Sequence, residues 1–172
     1  EMCIRDRSIL FEGVYMDNEI YLNGEKIFTW PYGYSQFEID LTSYVKEGEN
    51  TIWVKNTYEL PNSRWYPGSG IYRNVWLVRR PAVHFTTDGG YLSAKKEGDA
   101  FILHADYEIQ NDTDSACEVT LCHTVLAPDG KVAGTSKETL TIPCGLTVNK
   151  QTMTFEAPLL WDIESPNLYT VH

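Results

Sequence analysis

Phe101-Ile102-Leu103-His104-Ala105-Asp106-Tyr107-Glu108-Ile109-Gln110 sets the structural period of this chain. Phe101, Leu103, Ala105, Tyr107 and Ile109 alternate with Ile102, His104, Asp106, Glu108 and Gln110. A period of two puts the first set on a core face and the second on a wetter one, which reads as a β-strand. Asn111-Asp112-Thr113-Asp114 turns it, and Cys117 to Leu126 forms the next strand. Pro128-Asp129-Gly130 turns again. Shorter strands are expected near Val132 to Lys137, Leu140 to Pro143 and Gln151 to Glu156.

Strands at this spacing, separated by turn residues, predict an immunoglobulin-like β-sandwich over residues 81–172. Its upstream boundary is Arg79-Arg80-Pro81, because proline cannot donate to a sheet ladder. Before that boundary the period of two continues. Glu19 to Leu22 runs into Asn23-Gly24, a pair that tolerates the positive φ of a type I′ hairpin turn, and Lys26 to Thr29 returns. Phe37, Ile39 and Leu41 alternate with Gln36, Glu38 and Asp40. Thr42 to Val45 fits a helical turn, Ile52 and Val54 point inward from a further strand, and Tyr72 to Val78 forms another. The fold class is all-β, with a first β-sandwich over residues 8–80. The opening residues fit less well. Met2 to Arg7 resembles a translated frame of a transposase adaptor used in preparing sequencing libraries, so residues 1–7 are set aside as an expected artefact.

Composition excludes some functions. A net charge of −10 with scattered Lys and Arg predicts no nucleic-acid partner. No apolar run is long enough to span a bilayer, so no membrane partner is expected. Cys3, Cys117, Cys122 and Cys144 have neither metal-ligand spacing nor a dense framework. Cys117 and Cys122 lie five apart on one strand and point to opposite faces, so buried free thiols are expected. That leans towards a reducing, cytoplasmic compartment. His84, His104, His123 and His172 lie far apart, without a nucleophile or ligand partner. Glu38 with Asp40, and Asp17 with Glu19, share strand faces and read as solvated charges. Neither pair places one acid in an apolar pocket and another in a polar one, as paired acid–base chemistry requires. No catalytic residue, metal site or cofactor is predicted.

The exception to the alternation is Thr57 to Gly70, long for a hairpin loop and rich in Pro, Gly and aromatics. Asn62, Ser63 and Arg64 offer donors and acceptors for sugar hydroxyls, and Trp65 and Tyr66 offer stacking faces. Loops on a rigid sandwich are where binding residues usually lie. Packing of Trp65 and Tyr66 onto neighbouring structure is the competing reading.

Phe11-Glu12-Gly13-Val14, Tyr21-Leu22-Asn23-Gly24, Tyr32-Gly33-Tyr34 and the run Asn62-Ser63-Arg64-Trp65-Tyr66-Pro67-Gly68-Ser69-Gly70-Ile71-Tyr72-Arg73-Asn74-Val75 resemble the sugar-binding domain of glycoside hydrolase family 2. Leu160-Trp161 and Ser165-Pro166-Asn167-Leu168-Tyr169-Thr170-Val171 resemble the end of that family's immunoglobulin-like domain. The resemblance covers nearly everything after Leu10 and is closest to the β-galactosidases. It implies a partial jelly roll followed by an immunoglobulin-like sandwich truncated at its C-terminus. In that family a (β/α)₈ barrel with two catalytic glutamates comes next. The expected function is therefore a non-catalytic N-terminal portion of a retaining exo-β-glycosidase acting on β-galactoside-type bonds. Its partners would be the carbohydrate substrate and the catalytic barrel, and the parent could be an oligomer. The resemblance points to Asn62, Ser63, Arg64 and Trp65 as substrate-binding residues, and to Arg73 as one half of a structural pair inside the sheet. Two other readings are a free-standing carbohydrate-binding sandwich pair and an adhesin-like immunoglobulin array.

Overall fold

The structure is a computed structural model that describes residues 6–59, 68–98 and 100–172. It divides into two units, Glu1–Pro81 and Ala82–His172. Every named element is a β-strand, so the all-β expectation holds.

In the first unit, β1 (Asp6–Phe11) lies between β5 (Phe37–Asp40) and β8 (Val75–Arg80), antiparallel to both. A second sheet places β3 (Asn18–Leu22) between β4 (Glu25–Trp30) and β6 (Ile52–Asn56). Two short strands, β2 (Val14–Tyr15) and β7 (Gly70–Ile71), pair separately. The inward side chains Ile9, Phe11, Phe37 and Ile39 of the first sheet meet Ile20 and Leu22 of the second in one core, which also takes in Val14 and Leu41. Phe37 is its centre, stacking on Phe11 at 5.0 Å, Trp30 at 5.4 Å and Phe28 at 5.8 Å. The Asn23-Gly24 turn has φ values of 53° and 89°, as a type I′ turn requires. Leu41 O accepts from Val45 N at 3.0 Å, which closes the expected helical turn.

Three details of this unit differ from the sequence reading. The first strand begins at Asp6, inside the stretch set aside: Asp6 and Arg7 pair with Arg80 and Arg79, and Arg7 N donates to Thr42 Oγ1 at 3.1 Å. Tyr72 does not start β8, because its amide and hydroxyl are used on neighbouring loops instead of on the ladder. Glu38 is not a solvated charge. Its carboxylate accepts from Arg80 Nη1 at 2.5 Å and Nη2 at 3.3 Å and from the Ser8 hydroxyl. Only 22% of its side chain and 19% of that of Arg80 are accessible. Glu19 does keep to the outer face, but it is tied to Lys26, Tyr21 and Lys55. These three donors pull its pKa down to about 2.

In the second unit, β10 (Ala100–Asn111) lies between β9 (Val83–Glu97) and β13 (Gly145–Glu156). In the other sheet, β11 (Cys117–Leu126) lies between β12 (Val132–Ile142) and β14 (Thr170–Val171). Ala105 and Ile109 of one sheet and Leu121, Val125 and Ile142 of the other are buried. Asn111, 1% exposed, donates to Ser115 O at 3.1 Å and Ile142 O at 3.0 Å and so closes the turn after β10.

Here β11 has the expected bounds, whereas β9 was not anticipated and β12 and β13 are longer than expected, for physical reasons. In β9 the ladder shifts register opposite Tyr107 and Ile109, close to Asp88 at φ 56°, so its alternation changes phase midway. In β12, Gly134 and Ser136 occupy inward positions: a Cβ on Gly134 would lie 2.6 Å from Met153 Sδ, and Ser136 bonds His123. In β13, Leu146 and Val148 face outward, while Met153 and Phe155 have the opposite parity and less exposure. Cys117, Cys122 and Cys144 are free, as expected, but Cys122 and Cys144 are exposed rather than buried.

Losing the Glu38 carboxylate removes charge-assisted bonds from a partly buried network that joins β1, β5 and β8. Glu38→Ala is expected to lower the stability of the first unit by about 1–3 kcal/mol, read as a shift of the urea midpoint at unchanged slope. A change below about 0.5 kcal/mol, usual for an exposed substitution, would return Glu38 to the solvated surface.

Candidate functional site

The stretch from Thr57 to Gly70 follows the end of β6 and runs to the start of β7. Asn62, Ser63, Arg64 and Trp65 fall outside the described residues, whereas both roots of the stretch are described.

The outgoing root depends on Asn18, which is 0% exposed. Its Nδ2 donates to Val14 O and Trp30 O, both at 3.0 Å. Its Oδ1 accepts from Asn56 Nδ2. One residue on, Thr57 N donates to Met16 O at 3.2 Å. The last residue of β6 is thus bound to β2, β3 and β4 by one buried amide.

The returning root is fixed differently. Gly70 pairs with Tyr15 and Ile71 with Val14. Gly70 has φ +103°, a conformation that a β-carbon disfavours. Tyr72 N donates to Gly13 O at 3.2 Å, and its hydroxyl donates to Gly33 O at 2.8 Å. The two glycines leave room for aromatic rings. A Cβ on Gly13 would lie 2.6 Å from the Tyr72 ring, and one on Gly33 would collide with the Tyr15 ring. Beside the returning root lies a cavity of about 320 Å³ lined by Tyr15, Tyr34, Gly68, Ser69, Gly70 and Tyr72. Tyr15 is buried and meets Tyr34 edge-on at 5.1 Å, while about half of Tyr34 and Tyr72 is exposed.

This site can present aromatic faces and backbone polar groups, and among the described residues it brings no pair of free carboxylates together. Glu19 and Glu38 are committed to the partners already described. Among the described residues no group of three His, Cys, Asp or Glu could hold a metal ion. A larger cavity, about 380 Å³, lies in the second unit beside Leu92, Phe101, Phe155 and Trp161. Its lining residues include no acid, base or nucleophile of the kinds used in hydrolysis beyond Ser93 and the Tyr169 hydroxyl, the latter bound to Leu159 N at 2.9 Å. Arg73 is exposed in the bend between β7 and β8, without a hydrogen bond to any described residue, so it is not the paired sheet residue the sequence suggested. Asn18, Asn56 and Tyr15 escaped the sequence reading. The one available signal was an asparagine opening a strand directly after a break in alternation.

The order of domains decides the family. Residues 3–81 match the model described as glycosyl hydrolases family 2, sugar binding domain, and residues 91–172 match the model described as glycosyl hydrolases family 2. The chain belongs to glycoside hydrolase family 2. Among its family 2 relatives is beta-galactosidase BoGH2A of Bacteroides ovatus, 36% identical over 167 residues, which covers 95% of this chain and 20% of that protein. A family 2 member from Bacteroides cellulosilyticus superposes with a TM-score of 0.88 at 29% identity, over 99% of this chain and 22% of that one. The beta-glucuronidase of Bacteroides uniformis does so with a TM-score of 0.87 at 25% identity, over 98% of this chain and 22% of that one. The chain therefore spans about a fifth of the length of the relatives it matches.

In this family 2 chain the placement of the Thr57–Gly70 stretch rests on Asn18. Asn18→Ala strands the buried carbonyls of Val14 and Trp30 and the Asn56 amide. Unsatisfied buried groups cost roughly 1–3 kcal/mol each in such sites, so a loss of that order or more is expected in chemical denaturation. Amide exchange at Asn56 and Thr57 should rise ahead of the β1–β5–β8 sheet. Uniform loosening of both sheets would contradict a local anchoring role.

Proposed function

We propose that this chain is the non-catalytic N-terminal portion of a retaining exo-β-glycosidase that hydrolyses β-galactoside-type bonds. The observation that carries this reading is the two family 2 domains in series, together with a beta-galactosidase among the relatives that they match. A retaining glycosidase uses two carboxyl groups about 5–5.5 Å apart, and these would come from a catalytic barrel that this chain joins. The contribution of the chain is positional. Asn62, Ser63 and Arg64 hydrogen-bond hydroxyls of the non-reducing sugar, and Trp65 gives it an apolar face. Support for this role comes from the rigid roots: Asn18 and Asn56 on one side, and the Tyr72 bond to Gly33 on the other. A loop with fixed ends gives up less conformational freedom when it binds.

Two experiments test the proposal. The isolated chain is expected to turn over no nitrophenyl β-galactoside. Activity that survives purification and disappears with a substitution in this chain would overturn the non-catalytic assignment. In a full-length enzyme that contains this region, Asn62→Ala and Arg64→Ala are expected to lower kcat/KM about tenfold to a hundredfold, the equivalent of one buried hydrogen bond. Glu25→Ala, on the exposed start of β4, serves as the control. Loop variants that behave like this control would leave the loop as packing alone.

A further inference from the structure

We propose that His123 makes the second unit an acid-sensitive module, whose two sheets stay closed only while this imidazole is neutral. His123 lies in the middle of β11 and is 6% exposed. Its ring crosses the sandwich and stacks on Tyr107 of β10, with centroids 4.9 Å apart and planes 21° apart. Nδ1 lies 3.0 Å from Ser136 Oγ of β12. Nε2 is buried and has no hydrogen-bond partner among the described residues. The void beside the ring, about 10 Å³, also borders Ala105, Gln151 and Met153 and has room for one water at most.

A neutral imidazole fits these surroundings and an imidazolium does not. Protonation makes both ring nitrogens donors and places a charge where nothing solvates the Nε2 side. The titratable groups around the ring are few. Tyr107 on β10 is neutral, and burial raises its hydroxyl pKa further. Cys122 is the chain neighbour, and His172, beyond β14, borders the adjoining cleft. Glu138 on β12 is the one carboxylate whose charge favours protonation; it is exposed and already accepts from Gln151 Nε2. Burial outweighs it, and the His123 pKa is held below its ordinary 6.5.

The direction of the pH effect follows from that balance. Below about pH 6.5 the unfolded chain takes up a proton that the folded one refuses. Stability is complete above that pH and declines as pH falls towards the depressed folded value. The opening equilibrium of the second unit rises by up to about tenfold per pH unit in this window.

Hydrogen exchange of the whole chain tests this. Peptides covering β11 and β12 are followed between pH 7.5 and 5.5, corrected for intrinsic exchange. Opening is expected to rise by up to about fivefold between pH 6.5 and 5.5. His123→Gln should remove that dependence and His104→Gln should retain it. If His123→Gln does not fold, an NMR titration of the wild-type imidazoles decides: folded His123 should titrate below pH 6.5. Titration of folded His123 at or above 6.5, or protection of β11 that does not change with pH, would overturn the proposal.

Discussion

Asn18 opens β3 with a side chain that water does not reach, and its carboxamide joins the carbonyls of Val14 and Trp30 to the amide of Asn56. A buried amide carries a large desolvation penalty unless its hydrogen bonds are made. The geometry that makes them also fixes β2, β4 and β6 around one point. The consequences spread from there. With β2 held, Val14 and Tyr15 can pair with Ile71 and Gly70, and the chain returns to the sandwich at a fixed place. With Tyr15 held, its ring fills the space that Gly33 leaves open. The site is thus an outcome of satisfying one polar group in an apolar setting.

The second unit repeats this device with a different purpose. Asn111 is as buried as Asn18, donates to two carbonyls and accepts from the amide and hydroxyl of Thr113. It closes a turn between the two sheets and leaves no long loop beside it. His123 is the contrasting case, a buried polar ring with one nitrogen bonded and the other orphaned. In the first unit Asn18 is fully matched, although Trp30 Nε1 is buried without a partner among the described residues. The second keeps an unmatched polar group at its centre.

Much of this was legible in the sequence. Phe37, Ile39 and Leu41 are buried as their alternation required, and the Asn23-Gly24 turn has the backbone that its residues allow. What was hidden came from side chains that break the simple rule of apolar inside and polar outside. Gly134 and Ser136 face inward because Met153 and His123 need the space and the hydroxyl. Leu146 and Val148 face outward and disguise the start of β13. Glu38 sits on the outer face as its parity predicts, but Arg80, 42 positions away, turns it into a structural anion. Long-range partners of that kind have no local signature. For the candidate site the sequence named the loop from its composition, but not the asparagine pair that anchors it.

On the proposed reading, a jelly-roll loop held at both roots delivers polar side chains to a sugar bound in a catalytic barrel. A crystal structure of a full-length enzyme with this region, trapped with a covalent glycosyl intermediate, tests it most directly. The account predicts a side-chain atom of Asn62, Ser63 or Arg64 within hydrogen-bonding distance, about 2.7–3.2 Å, of a sugar hydroxyl. A trapped sugar contacted by the barrel alone, with these three side chains turned away from it, would contradict the account.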